Sequence, residues 1–302
     1  MSGAAPALSL CMIVKNEAFF LRRCLTQAAG HVDEIVVVDT GSGDDTRVIA
    51  GEFSERVFDF QWQDDFAAAR NFSLGKATGD WIIVLDADEV IAPGDWARIR
   101  ALMADPDKDA YLLTQYNYSR EPLDRNWVPI AERTPYTRDY VGYRPNPIGR
   151  LFRNHAGIVY QGRVHEIIDR SVAPERYGQV DIPIHHHMDE DPNKMQVDRQ
   201  LNYLRMIEQQ LDGETDGRLW LAAGTLCLHY TGDLPKGIRY LERAAALGHE
   251  PDQAREYAAE GYYRLGELDQ AYALYRTLYE SGHVTLNLCN NLANLAVKRD
   301  EH

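Results

Sequence analysis

Through the first third of the chain, short apolar runs alternate with amphipathic stretches. The run Leu8–Val14 reads as a buried strand. After Lys15-Asn16-Glu17 the apolar positions become Leu21, Cys24, Leu25 and Ala28, spaced i, i+3, i+4 and i+7, which predicts a helix with one inner stripe. Residues 34–38 form a second apolar run, followed by the turn Asp39-Thr40-Gly41-Ser42-Gly43 and a helix over 46–53. A short strand at 57–60, a helix over 66–76 and a strand at 81–85 continue the alternation, and Pro93-Gly94-Asp95 starts the next element. This order predicts a mostly parallel sheet with helices on both faces.

The character changes after about residue 109. Residues 110–118, 148–152, 158–160, 164–168 and 180–184 read as strands with no helices between them. Between the first two lies a long loop carrying Arg120, Arg125, Trp127, Tyr136, Tyr140 and Tyr143. Loops of that length are usually functional or disordered. Flat aromatic and guanidinium groups suit an acceptor or sugar surface, or equally a packed lid.

From residue 191 onward the pattern is helical, and it repeats. Gly232-Asp233-Leu234 recurs as Gly266-Glu267-Leu268, and Gly248 recurs as Gly282, both at a spacing of 34 residues. That is the period of tetratricopeptide (TPR) helix–turn–helix units. Two units fit from Leu219 onward, with a degenerate half-repeat over 201–211. Two repeats are marginal as a free-standing solenoid, so the tail is expected to pack on the first domain or to form a homodimer. The expected domains are 1–190 and 191–302.

Composition narrows the function classes. With 32 basic against 46 acidic residues the net charge is −14, which argues against nucleic-acid or anionic-membrane binding. Cysteines 11, 24, 227 and 289 form no CxxC pattern and read as buried reduced thiols. No export signal and no apolar run of membrane-span length is recognised, so the expectation is a soluble cytoplasmic protein.

The candidate chemistry begins at Trp81-Ile82-Ile83-Val84-Leu85-Asp86-Ala87-Asp88. If the chain stays extended, Asp86 and Asp88 point the same way and offer four oxygens to a hard divalent cation. The spacing alone is weak evidence. Asp105-Pro106-Asp107, Asp107-Lys108-Asp109 and Asp189-Glu190-Asp191 share it in polar loops, and a helix cap with a solvated turn is the plain alternative. Two other expected strands also end in polar groups, at Lys15-Asn16-Glu17 and Asp39-Thr40-Gly41-Ser42, and parallel strands bring such ends to one crevice. There is no Gly-x-Gly-x-x-Gly after the first strand and no P-loop. An acidic, metal-bearing crevice suits a nucleoside diphosphate.

Leu10-Cys11-Met12-Ile13-Val14-Lys15-Asn16-Glu17, Val37-Val38-Asp39-Thr40-Gly41-Ser42, Asp65-Phe66-Ala67-Ala68-Ala69-Arg70-Asn71 and Asp86-Ala87-Asp88-Glu89 resemble, in order and spacing, the motifs of family 2 glycosyltransferases. The nearest resemblance is to a bacterial branch with C-terminal TPR repeats. It extends over Arg150-Leu151-Phe152-Arg153, Arg163-Val164-His165-Glu166 and the repeats. The resemblance implies an α/β GT-A-type (Rossmann-like) mixed sheet flanked by helices, followed by an all-α TPR-like tail.

It further implies a hexosyltransferase-like, inverting enzyme using a nucleoside-diphosphate sugar, UDP-type by preference. Val14, Glu17, Asp39, Arg70 and Asp86 would line the donor, with Glu17 and Asp39 on ribose and base and Arg70 near the diphosphate. Mn²⁺ or Mg²⁺ would be held by Asp86 and Asp88, Asp88 the more direct ligand, with His187 as a third. Three adjacent rings leave the choice among His185, His186 and His187 open, and His165 is a further candidate. An imidazole ligand tilts the metal toward Mn²⁺. The family commonly has an aromatic after this histidine, where this chain has Met188.

Inversion needs a carboxylate to take the acceptor's proton. Glu166 is the first candidate and Glu89 the fallback; in a regular strand His165 would face away from Glu166. The acceptor is expected to be a peptide or protein, since TPR grooves bind such partners, or else a glycan or lipid. Two rival classes remain. A nucleotidyltransferase would carry a Gly-rich basic loop where Lys15-Asn16-Glu17-Ala18 stands. A non-catalytic TPR adaptor would have no reason to keep Glu17, Asp39, Arg70, Asp86 and Asp88 together.

Overall fold

A computed structural model describes residues 5–121, 127–137, 139–187 and 197–300. The chain divides into two compact units, Met1–Asp191 and Pro192–His302. The first begins β1 (Leu8–Val14), α1 (Ala18–Ala28), β2 (Glu34–Asp39), α2 (Thr46–Phe53), β3 (Val57–Asp59), α3 (Phe66–Leu74) and β4 (Trp81–Val84). It continues with β5 (Glu89–Val90), α4 (Pro93–Leu102), β6 (Ala110–Ser119), β7 (Val128–Pro129), β8 (Gly142–Arg153) and β9 (Tyr177–His186). The strand order is β3-β2-β1-β4-β8-β6-β9-β5, with β7 beside β8.

β1 to β4 are parallel, β8 runs antiparallel to β4 and β6, and β9 is parallel to β6. The sheet is therefore mixed, and its parallel part is buried on both faces, as crossover helices require. Leu8, Leu10 and Met12 of β1 pack with α1 residues Leu21 and Leu25 and α4 residues Trp96 and Ile99. Cys11 and the β2 residues Val36 and Val38 pack with Ala67 and Leu74 of α3 on the other face. This is the two-residue alternation of strand side chains.

Residues 85–88 carry the chain from β4 to β5, four places along the strand order. Five residue steps reach at most about 17 Å, while four spacings on a flat sheet are about 19 Å. The sheet is accordingly curled at this end, and the connection runs across the ends of the intervening strands.

Two departures from the sequence expectations have clear causes. Residues 158–160 and 164–168 are not strands; only an isolated bridge joins Gln161 to Ile167. His155, Gly157, Gly162 and His165 all take positive φ there, which breaks extended chain. Ile158, Tyr160, Val164 and Ile168 are buried all the same, so their apolar pattern mimicked a strand. β8 starts at Gly142 rather than 148, although it contains Pro145 and Pro147. Past Gly142 and Tyr143, which also pair with β7, residues 144–148 pair with β6 alone among the described residues, and a proline's missing N–H costs no bond on an unpaired side. The aromatic loop packs down onto the sheet. Tyr143 stacks on Tyr116 at 4.0 Å, Tyr140 on Tyr118 at 5.0 Å and Tyr136 on His185 at 4.3 Å. The Trp127 indole lies where a Cβ on Gly142 would sit, and Arg120 lies over the Tyr140 ring. Arg125 falls outside the described residues, as do Met188, Asp189, Glu190 and Asp191.

The second unit is all helical and TPR-like: α5 (Val197–Glu208), α6 (Gly217–Leu226), α7 (Leu234–Ala246), α8 (Pro251–Leu265), α9 (Leu268–Glu280) and α10 (Leu286–Asp300). α6 continues as a π-helical turn, Cys227–Thr231. Gly232 and Gly266 end the first helix of each pair at φ +71° and +88°, and Gly248 and Gly282 follow the second helix at +76° and +86°. Left-handed glycines are the standard way to stop a helix without a Cβ penalty. Leu241, Ala258, Ala271 and Tyr275 fill the space between helices. Among the described residues no helix is long and apolar enough to cross a membrane.

Candidate active site

The register aligns Val14 with Asp39 and Cys11 with Val84, so β1, β2 and β4 end at one sheet edge. The first two ends are stitched together. The Val14 carbonyl accepts Thr40 N–H at 2.9 Å. Asn16, at φ +54°, donates its N–H to Ser42 Oγ at 2.9 Å and accepts Gly43 N–H through Oδ1 at 2.8 Å. Asp39 accepts from Gly41 N, Ser42 N and the Ser42 hydroxyl at 3.2, 3.1 and 2.5 Å. Glu17, whose N–H donates to Thr46 Oγ1 at 2.7 Å, is buried like Asp39. Two carboxylates thus stand in a tightly braced corner.

At the third end the chain leaves β4 after Val84 and turns, with Glu89 N–H donating to the Asp86 carbonyl at 3.0 Å. Asp86 and Asp88 therefore do not share one direction, as extended chain would have required. Asp86 accepts from Arg70 Nη2 at 2.9 Å and Arg150 Nη2 at 2.7 Å. Asp88 Oδ2 lies 3.1 Å from His186 Nε2. Arg70 is set by α3, whose N-cap Asp65 accepts Ala68 N–H at 2.8 Å; its Nε donates to Glu166 Oε1 at 2.5 Å. Arg150, from β8, also donates to Glu89 Oε1 at 2.9 Å.

Three carboxylates, Asp86, Glu89 and Glu166, thus surround two guanidiniums. Burial works to raise the Asp86 carboxyl, but Arg150 and Arg70 together hold it well below the usual range. Burial dominates at Glu89 and, with the nearby Asp86 charge, pushes it up against the pull of Arg150.

The histidines separate by strand parity. His185 meets the Tyr118 hydroxyl through Nδ1 at 2.5 Å, and burial, with help from His187, lowers it to about 4. His187 is held by Nε2 donating to the Tyr136 carbonyl at 3.1 Å. Its ring borders a cavity of about 240 Å³ lined by Arg23, Gln27, Val90, Tyr136 and Tyr140. Of the three adjacent rings, of which His187 was the expected third ligand with the choice left open, His186 is the one that reaches Asp88. Its Nδ1 lies 2.7 Å from Asn117 Oδ1. Burial lowers its proton affinity, but the hydrogen bond and charge of Asp88 outweigh burial and raise it. His186 shares the strand parity of Ile182 and Ile184, but burial gave no signal for it, since it is half-buried while His185 and His187 are buried. His165 sits in the turn at φ +55° rather than in a strand.

Sequence reasoning assigned no role to Arg150, Gln115, Asn117 or Tyr160. Arg150 Nε, Arg70 Nη1 and the Tyr160 hydroxyl are buried donors without a hydrogen-bond acceptor among the described residues. The Arg70 guanidinium lies 5.4 Å from the Tyr160 ring centroid. Buried donors of this kind call for an anionic or water partner.

Among the described residues no group of three His, Cys, Asp or Glu side chains is gathered as a metal cage. The donor chemistry at Asp88 and His186 nevertheless fits a divalent cation. A carboxylate faces an imidazole nitrogen whose ring is oriented by Asn117, the usual outer support of a metal-binding histidine. Phosphate oxygens commonly complete such a shell when the protein gives only one or two carboxylates.

The mixed α/β sheet flanked by helices, with carboxylates, arginines and a histidine gathered along one edge, is a GT-A-type architecture. The chain belongs to glycosyl transferase family 2, whose sequence pattern it matches over residues 9–166. It is 41% identical over 171 residues to a TPR repeat-containing protein of Synechococcus elongatus, covering 56% of this chain and 38% of that one. It is 25% identical over 251 residues to the SPbeta prophage-derived glycosyltransferase SunS of Bacillus subtilis, covering 79% and 53%. The chain thus spans about half or less of the length of these relatives. Among solved structures, S. aureus TarS aligns over 91% of this chain and 92% of that chain, with 14% identity and a TM-score of 0.45. The M. tuberculosis glucosyl-3-phosphoglycerate synthase, solved with Mn²⁺ and UDP-glucose, aligns over 68% and 79%, with 14% identity and a TM-score of 0.45.

Proposed function

We propose that this chain is a metal-dependent, inverting glycosyltransferase that takes its sugar from a nucleoside-diphosphate donor, preferably UDP-linked. The observation that carries the reading is the shared sheet edge, where β1 leads into Glu17, β2 ends in Asp39 and β4 runs into the turn of Asp86 and Asp88, with Arg70 of α3 and Arg150 of β8 bound to Asp86. Glu17 and Asp39 accept from ribose hydroxyls and base N–H groups. Arg70 and Tyr160 hold buried donors ready for the diphosphate. Asp88 and His186 would hold Mn²⁺ or Mg²⁺, which would supply positive charge against the leaving diphosphate.

Glu166 takes the proton of the acceptor nucleophile as its oxygen or other lone pair bonds to the anomeric carbon and the nucleoside diphosphate departs. Its tie to Arg70, which also binds Asp86, fixes it relative to the leaving group. The TPR-like tail makes a peptide or protein acceptor the preferred reading, and because two repeats are marginal alone we separately propose a homodimer through that tail, tested by light scattering.

The test is calorimetry with UDP and nucleotide sugars, with and without Mn²⁺, in wild type and Asp88→Ala. The expected result is Mn²⁺-dependent binding that Asp88→Ala abolishes. Absence of donor binding in wild type, or unimpaired binding and donor hydrolysis in the variant, defeats the proposal.

A further inference from the structure

We infer that Glu89 is a positioning residue for the Asp86-Ala87-Asp88 turn and not the acceptor's base, an inference that rests on the donor- and metal-binding role proposed for that turn. Glu89 is 0% exposed, and both its oxygens are in use. Oε2 accepts Asp86 N–H at 2.8 Å, while Oε1 accepts Arg150 Nη2 at 2.9 Å and Gln115 Nε2 at 2.5 Å. A base must come within hydrogen-bond reach of the proton it removes, and an acceptor has no approach to this carboxylate.

What the carboxylate does instead follows from its bonds. Glu89 N–H donates to the Asp86 carbonyl while Glu89 Oε2 takes the Asp86 N–H, so one residue closes the turn in both directions. Ala87 and Asp88 are left as its two corner residues. The same residue begins β5, where the antiparallel register sets Glu89 opposite His186. Glu89 therefore joins the turn carrying Asp88 to the strand carrying the histidine that meets it. Gln115 is itself held by Asn146 Nδ2 at 3.2 Å, so the carboxylate rests on a braced partner.

Glu89→Gln keeps the shape but replaces one acceptor oxygen by an NH₂ group, which must then face Asp86 N–H or the Arg150 and Gln115 donors. In the full-length protein, UDP binding with Mn²⁺ is expected to weaken by about 10–100-fold, the usual effect of losing an outer support of a metal site, while thermal melting still reports a folded protein. The acid limb of the pH profile for UDP-glucose hydrolysis is expected to remain, because the base is elsewhere. Unchanged UDP affinity in folded Glu89→Gln, or loss of that acid limb, overturns the inference. If Glu89→Gln does not fold, Gln115→Leu removes one donor to the same carboxylate; weakened UDP binding supports the role and unchanged binding overturns it. Failure of the wild type itself to bind UDP with Mn²⁺ is a separate result, and defeats the proposed function together with this role.

Discussion

Arg150→Met offers the sharpest test of the charge arrangement at the sheet edge. The Arg150 side chain is 3% exposed and joins Asp86 and Glu89 at 2.7 and 2.9 Å. Methionine fills much of the same volume but leaves Glu89, fully buried, with only neutral donors, Gln115 and Asp86 N–H. Breaking a buried pair by removing one partner costs about 3–5 kcal/mol. At about 2–4 °C per kcal/mol for a unit of this size, Tm should fall by roughly 6–20 °C.

The loss should also depend on pH. Burial already raises the Glu89 carboxyl above its ordinary value, and removing Arg150 removes the main opposing pull. A raised carboxyl makes the folded state bind more protons than the unfolded state, so stability falls as pH rises above the unfolded value. Melting curves at pH 5.5 and pH 8 should therefore show a smaller deficit at the lower pH. A deficit below about 2 °C at both values, with the far-UV spectrum unchanged, would refute the reasoning, since uncompensated buried charge costs more than that.

Further outcomes follow from other parts of the molecule. His186 is raised by Asp88, so the pair stabilises the fold below the ordinary histidine range and loses that contribution as pH climbs through the raised value; His186→Asn should destabilise more at pH 6 than at pH 8.5 in melting experiments. Tyr160→Phe removes a buried hydroxyl that lacks an acceptor, so the free protein should become more stable by up to about 1–3 kcal/mol while UDP binding in calorimetry weakens. Gly266→Ala places a Cβ on a residue at φ +88° and should cost about 1 kcal/mol or more in the melting of the tail.

How much was legible in the sequence depended on whether the signal was local. β1, β2 and β4 announced themselves because unbroken apolar runs ended in polar turns, and the repeat showed through its glycines. β5 and β7 are two residues long, too short for any period, and exist through pairing with β9 and β8. The segment 158–168 was misread because buried alternation was taken for extended backbone, while glycine and histidine at positive φ bend it. Arg70 was found from its motif, but Arg150 and Gln115 matter through strand order, which sets them beside a turn more than twenty positions away in sequence. The direction of Asp86 was beyond local reasoning for the same reason, since the Glu89 side chain and two arginines settle it.

The prolines of β8 bear on how an acceptor can be read. Pro145 and Pro147, together with Pro129 in exposed β7, deprive that margin of the sheet of the N–H groups another chain would need. A peptide arriving there finds few backbone N–H donors to pair with, which disfavours capture by strand addition. Recognition along that flank falls mainly to side chains, so a peptide acceptor would be chosen there by its residues more than by its ability to extend a ladder.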